Sequence, residues 1–185
     1  GSETFVVPMQ NGVETPGQLT SVLGEKAVVV GLGGLVSYIV GPGHIIHAGG
    51  EPFVSFGESD DSATERTRRL LQAFQNAGVN ANIPSNIHAA LWGKLAFMAA
   101  NSGVGAITRV PSGQWRSLAG SWEMAQQVVK EVLAVASAKG IDMPGDAFSS
   151  TIARLEGSPQ DSTSSMQRDP MNGKPSELEV QSGGV

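Results

Sequence analysis

VVVGLGGLVSYIVGPGH, residues 28–44, is the stretch on which the fold turns. Three valines run into Gly31-Leu32-Gly33-Gly34, as a strand runs into a dinucleotide-binding loop. That loop needs three small positions: one for the tight turn, one for close approach to the pyrophosphate, one for helix–strand packing. Gly31 and Gly33 fill two of them, but the third falls on Val36, whose branched side chain would push helix and strand apart. The loop must also open a helix, because the helix N-terminus holds the phosphates. Ser37-Tyr38-Ile39-Val40 is instead β-prone and runs into the breaker Gly41-Pro42-Gly43. Glu51 stands at about the distance of a ribose-binding acid, which one carboxylate supplies cheaply. The expectation is a strand, a glycine-rich bend and a second strand, and the question becomes whether a cofactor loop is missing from this chain.

Composition sets the outer limits. The 185 residues are enough for one domain or two small ones, and 40% hydrophobic with 16% charged residues can bury a core. A net charge of −5 argues against nucleic-acid or anionic-membrane partners, since phosphate contacts need a basic patch. The absence of cysteine removes disulfides, thiolate catalysis and Cys-ligated zinc, and suits a reducing, cytoplasmic setting. No apolar run reaches the length of a membrane span. Gly1-Ser2 reads as a cloning remnant, because the chain then starts directly in strand-like Thr4-Phe5-Val6-Val7. It closes at Gly183-Gly184-Val185 just after a helix-like Glu177–Gln181, so a piece of something longer is expected.

Strand-like runs cover 4–9, 26–30, 36–46 and 52–56, separated by Gly or Pro, with a short helix over 17–23. Some of the runs are continuous, so part of this sheet should be covered on both faces. From Ser62 the period changes. Ser62 is a candidate N-cap for a helix carrying Leu70, Leu71 and Phe74, stopped by Gly78. Further helices are expected over about 86–101, over 122–139 with Ser121 as cap and Gly140 as stop, and over 147–156. Residues 157–176 read as a flexible polar loop. Strands first and helices later imply two unlike regions, 1–84 and 85–185.

The second helix carries the chemistry. Ile87, Ala90, Leu91, Leu95 and Met98 form an apolar stripe, and Lys94 falls within it. Lysine is seldom fully buried unless paired, so either its stem snorkels or its ammonium enters a polar pocket. Asn101, two turns on and also polar, favours a pocket. A lysine there is a cation and proton donor whose pKa falls on desolvation.

PMQNGV at 8–13, GPGHIIHAG at 41–49, FGE at 56–58, LWGKLAFMAANSGVGAITR at 91–109 and SMQRDPMNGKPSELE at 165–179 together resemble the ketopantoate reductase family. They occur in the family's order and cover nearly the whole chain. The resemblance implies the β-rich back part of a Rossmann-like nucleotide-binding domain (1–84), then a helical catalytic domain of the 6-phosphogluconate dehydrogenase-like type (85–185). The first half of the Rossmann fold would lie upstream and the last helices downstream. It also implies NADPH as cofactor and reduction of a small 2-keto acid, 2-dehydropantoate to pantoate, in pantothenate biosynthesis.

By the same resemblance Lys94 is the general acid and a substrate contact. Glu177 contacts the substrate hydroxyl and the nicotinamide ribose, Asn11 lies near that ribose, and Ser165 binds the substrate carboxylate. Asn101 and Ser112 join the substrate contacts. Read from residue type alone, Glu177 could be a first-turn helix acid, Ser165 an N-cap and Asn11-Gly12 a turn. The chain departs from the family where an asparagine usually follows the lysine by one turn, here Met98. It departs again where a second asparagine would align with Gly105. These departures motivate a runner-up, reduction of another branched 2-keto acid. A non-catalytic helical interaction module, or a homodimer through the helical domain, is the alternative of a different class. His44 and His47 point to opposite faces of a strand and are not expected to share a metal. His88 reads as a surface or packed histidine.

Overall fold

The computed structural model describes residues 4–183. Gly1-Ser2 and Gly184-Val185, which bear on the remnant and on the chain's close, lie outside the described residues. The chain divides into two compact units: residues up to Gln10 with Thr15–Ala90, and Asn11–Glu14 with residues from Leu91 onward.

The first unit is built on a long hairpin. Strand β1 (Val30–Gly41) pairs antiparallel with β2 (His44–Gly57), and β3 (Asn80–Asn82) adds in parallel to β2. The glycine-rich bend expected at 31–34 is absent. β1 passes through GLGG as strand, with its pairing irregularities between Gly34 and Val36, between Val36 and Ser37, and near the turn. The reversal comes instead at Pro42-Gly43, where Gly43 takes φ +71°. The single strand expected over 36–46 is therefore two strands and a turn. The glycines serve packing. A Cβ on Gly31 would overlap Val7, and one on Gly33 would stand 2.7 Å from Met9 Cε, so residues 7–9 lie directly over β1. The strand expected over 4–9 reduces to one parallel bridge, Val6 with Val28, in which Val6 N donates to Ala27 O and Val29 N donates to Val6 O.

Val28, Val29, Val30, Leu32 and Phe56 are buried, each side chain contributing roughly 1.5–3 kcal/mol. The far end of the hairpin is exposed. Helix α1 (Thr15–Leu23) is followed by a 3₁₀ turn, Glu25–Ala27, which replaces the start of the expected 26–30 strand. Helix α2 (Glu65–Asn76) is capped by Thr64, whose hydroxyl accepts from Thr67 N at 3.3 Å; Ser62 bonds Asp60 instead. Glu58 closes the unit. Its carboxylate accepts from Arg66 Nε at 2.7 Å and from Thr64 Oγ1 at 2.5 Å.

Helix α3 (Ile87–Thr108) starts at Asn86, whose side chain accepts from Ala89 N at 2.8 Å. It runs two turns beyond the expected end, because Asn101, Gly103 and Gly105 stay helical. Trp92, Leu95, Ala96, Ala99, Ala100 and Val104 face the core of the second unit. They meet Trp115 of α4 (Ser112–Arg116), Ala125, Val129, Val132 and Ala136 of α5 (Ala119–Ala138), and Leu155 of α6 (Ala147–Glu156). Helix α5 starts earlier than expected, after Leu118, and Ser121 bonds Trp115 O at 2.6 Å rather than capping it. The polar stretch 157–176 is not one flexible loop: α7 (Ser165–Met171) forms inside it, capped by Ser164 accepting from Gln167 N at 3.0 Å. A π-helical turn, Glu179–Gly183, follows. No helix among the described residues is long and apolar enough to cross a membrane.

Candidate active site

The buried surface of α3 is broader than the expected stripe. Lys94 lies two residues from Trp92 and two from Ala96, so it sits about 200° round the helix from them. The expected stripe is nonetheless buried, fully at Ile87, Leu91 and Leu95 and partly at Ala90 and Met98, and the half-buried Lys94 lies along it with Phe97 and Asn101. The helix is apolar nearly all round, so periodicity alone did not choose between the two faces.

Two charges act on the half-buried Lys94 ammonium. Burial pushes its pKa below the usual lysine value and the positive charge of Arg154 pushes the same way, while Glu177 opposes them. Arg154, on α6, is exposed as a residue, so the desolvation that lowers its own guanidinium is partial. That group stands 4.2 Å from the centre of the Phe97 ring, and Phe97 is one turn from Lys94.

The anion comes from far along the chain. Glu177 Oε2 accepts from Asn11 Nδ2 at 2.8 Å and from Gln181 Nε2 at 2.7 Å. Gln181 is fully buried, and its Oε1 has no partner among the described residues. Gly12 holds φ +94°, and a Cβ there would meet Val180 Cγ1 at 2.5 Å. Glycine after Asn11 thus lets the 11–14 segment lie against the final turn, which aims Asn11 at Glu177. Of the residues singled out in the sequence, Lys94, Glu177 and Asn11 are brought together, and Asn101 shares Lys94's helix face.

Two others are placed differently. Ser112 is buried, and its hydroxyl binds Ser162 O at 2.9 Å and Pro159 O at 3.2 Å, tying α4 to the 157–164 segment. Ser165 is exposed as the first residue of α7, beside the capping Ser164. Arg154, Phe97 and Gln181 were missed by sequence reasoning. Nothing in the spacing links residue 154 to a helix sixty positions earlier. An unexplained glutamine four residues after Glu177 was the one available signal.

Comparison with known proteins gives the family. The model of the ketopantoate reductase PanE/ApbA C-terminal region matches residues 86–185, more than half of the chain, and the PanE/ApbA ketopantoate reductase model matches 1–61. The chain belongs to the PanE/ApbA ketopantoate reductase family. A crystal structure of a PanE/ApbA family ketopantoate reductase from Ralstonia eutropha JMP134 superposes with TM-score 0.84 and 30% identity, over 99% of this chain and 59% of that one. The 2-dehydropantoate 2-reductase of Archaeoglobus fulgidus is 28% identical over 157 residues, 83% of this chain and 52% of that protein. The uncharacterized oxidoreductase YkpB of Bacillus subtilis (strain 168) is 26% identical over 175 residues, 95% of this chain and 58% of that protein. The chain spans a little over half the length of each. Its fold is the β-rich back part of a Rossmann-like domain followed by the family's helical domain.

Proposed function

We propose that the protein is an NADPH-dependent reductase of 2-dehydropantoate, producing pantoate, with Lys94 as the proton donor. The observation that carries this is the meeting of Lys94, Glu177 and Asn11, residues 83 and 166 positions apart in sequence, at one polar site of the helical unit. The donor set fits a nicotinamide ribose. Asn11 and Gln181 both bond Glu177 Oε2, so Oε1 keeps its capacity to accept from a hydroxyl. The phosphates are not held at GLGG, which is strand rather than the mouth of a helix.

When bound, the cofactor supplies a hydride to the carbonyl carbon. The carbonyl's electron pair moves to oxygen, and the Lys94 ammonium first stabilises that charge and then gives it a proton, leaving a neutral amine. Burial and the charge of Arg154 make this proton easier to release than that of an ordinary lysine, and Glu177 acts in the opposite direction. An arginine in its place could not readily give up a proton. A second reading, another branched 2-keto acid, is favoured by Gly105. A Cβ there would stand 2.7 Å from the Gln167 side-chain oxygen, so Gln167 occupies space that a larger residue at 105 would fill. Turnover of NADPH by the full-length protein across a panel of 2-keto acids is the test. Highest kcat/KM with 2-dehydropantoate supports the first reading, and a low rank for it shifts the assignment to the second.

A further inference from the structure

Glu177 is exposed as a residue, and an unrestrained surface glutamate samples several rotamers that a ligand must freeze before it can use the carboxylate. The residue one turn on is of the opposite kind. Gln181 is fully buried, and its backbone N–H donates to Glu177 O at 2.9 Å. A spacing of four puts the two side chains on one face of the turn. Gln181 Nε2 donates to Glu177 Oε2 at 2.7 Å, and Asn11 Nδ2 donates to the same oxygen at 2.8 Å.

The other end of the glutamine amide is left over. Gln181 Oε1 is buried and has no hydrogen-bond partner among the described residues. Turning the amide over would set Oε1 against Glu177 Oε2, two acceptors at hydrogen-bond distance, and would leave the Nε2 donor unused instead. A buried carbonyl without a partner destabilises a fold, and an apolar side chain of the same shape in its place is neutral or stabilising. Folding alone therefore gives no reason for glutamine here. Holding a carboxylate does. One donor from the same turn and one from 166 positions upstream fix Oε2 from two sides, while Oε1 keeps its capacity to accept. A carboxylate held before the ligand arrives lowers the ordering cost of binding.

We propose that Gln181 is a positioning residue: its buried amide holds the Glu177 carboxylate in the orientation in which Oε1 accepts from a ligand hydroxyl, and its orphaned carbonyl is the stability given up for that. The proposal rests on the reductase reading above, and names the group that keeps Glu177 ready. The experiment is a double-mutant cycle in the full-length protein, with wild type, Gln181→Met, Glu177→Ala and the pair. Methionine keeps the length of glutamine and removes both polar atoms. The expected result is that Gln181→Met raises KM for NADPH and 2-keto acid by about threefold to tenfold, leaves kcat within about twofold, and does not lower the urea midpoint. In the Glu177→Ala background the same substitution should change KM by less than about twofold, since the group it acts through is gone. An unchanged KM in Gln181→Met, losses that multiply in the pair, or a lowered midpoint overturns the proposal, because a merely structural glutamine acts on folding and independently of Glu177. If the wild type reduces no 2-keto acid, the reductase reading falls, and the positioning of Glu177 is decided by side-chain NMR relaxation. Greater mobility of the Glu177 side chain in Gln181→Met then supports it, and equal mobility rejects it.

Discussion

Arg66 in the first unit and Arg154 in the second each stand over an aromatic ring, Phe5 at 5.4 Å and Phe97 at 4.2 Å. Beyond the ring their surroundings diverge. Arg66 gives two bonds to the Glu58 carboxylate and further bonds to the carbonyls of Lys26 and Val28. Glu58 is held below the usual carboxylate range chiefly by Arg66, and Arg66 is raised chiefly by Glu58. The donors of that arginine are taken up by Glu58, Lys26 and Val28, which ties α2 to the chain just after β2 and just before β1. Arg154 has no such partner among the described residues, and its charge falls on Lys94. A satisfied cation stabilises a fold, whereas a partly desolvated one tunes its neighbour.

Substitutions can break this contrast. Lys94→Ala should lower kcat by about 10²–10⁴-fold in the full-length enzyme, the range for a lost general acid, with little change in unfolding midpoint. A fall of less than about threefold would remove Lys94 from that role. Glu58→Ala should do the reverse. It leaves Arg66 without its counter-ion and should cost about 2–3 kcal/mol in urea unfolding, because hydrogen bonds to charged groups are worth roughly 1.5–3 kcal/mol. Glu177→Gln keeps the shape of the site but removes the acceptor charge. Its KM for cofactor and substrate should rise by about tenfold, and unchanged values for both would take Glu177 out of the binding set.

The smallest expected effect is also the most specific to the charges around Lys94. The proton donor must be protonated, so kcat should fall as pH rises through the lowered pKa of Lys94. Removing a neighbouring cation relieves repulsion and raises that pKa; removing a neighbouring anion lowers it. Arg154→Gln should therefore move the alkaline limb to higher pH and Glu177→Gln should move it to lower pH. Parallel shifts in the two pH–rate profiles would contradict the placement of Lys94 between them.

Helix boundaries show where local signals sufficed. Residues 147–156 form the expected helix, and Gly78 and Gly140 follow helices with φ +74° and +78°, as stop residues should. Caps were less legible, because Ser62, Thr64 and Ser121 look alike in sequence, and only neighbouring chain decides which hydroxyl finds a helical N–H. The GLGG stretch was expected to bend, and its continuous strand character needed knowledge of Val7 and Met9 lying over it.

The candidate site divides along the same line. Residue chemistry and motif order single out Lys94, Glu177 and Asn11 as candidates, since a lysine in an apolar helix and a family pattern are both read along the chain. The sequence also determined that the helical region would have a core, through the Ala, Leu and Val content of α3 and α5. Tertiary structure alone decided which face of α3 that core would take, because an apolar surround gives no preferred side. It alone joined Arg154 to Phe97, and Gln181 to Glu177, because contacts between helices far apart in sequence leave no periodicity to read. Charges at this site act through space, and the chain's order does not encode their distances.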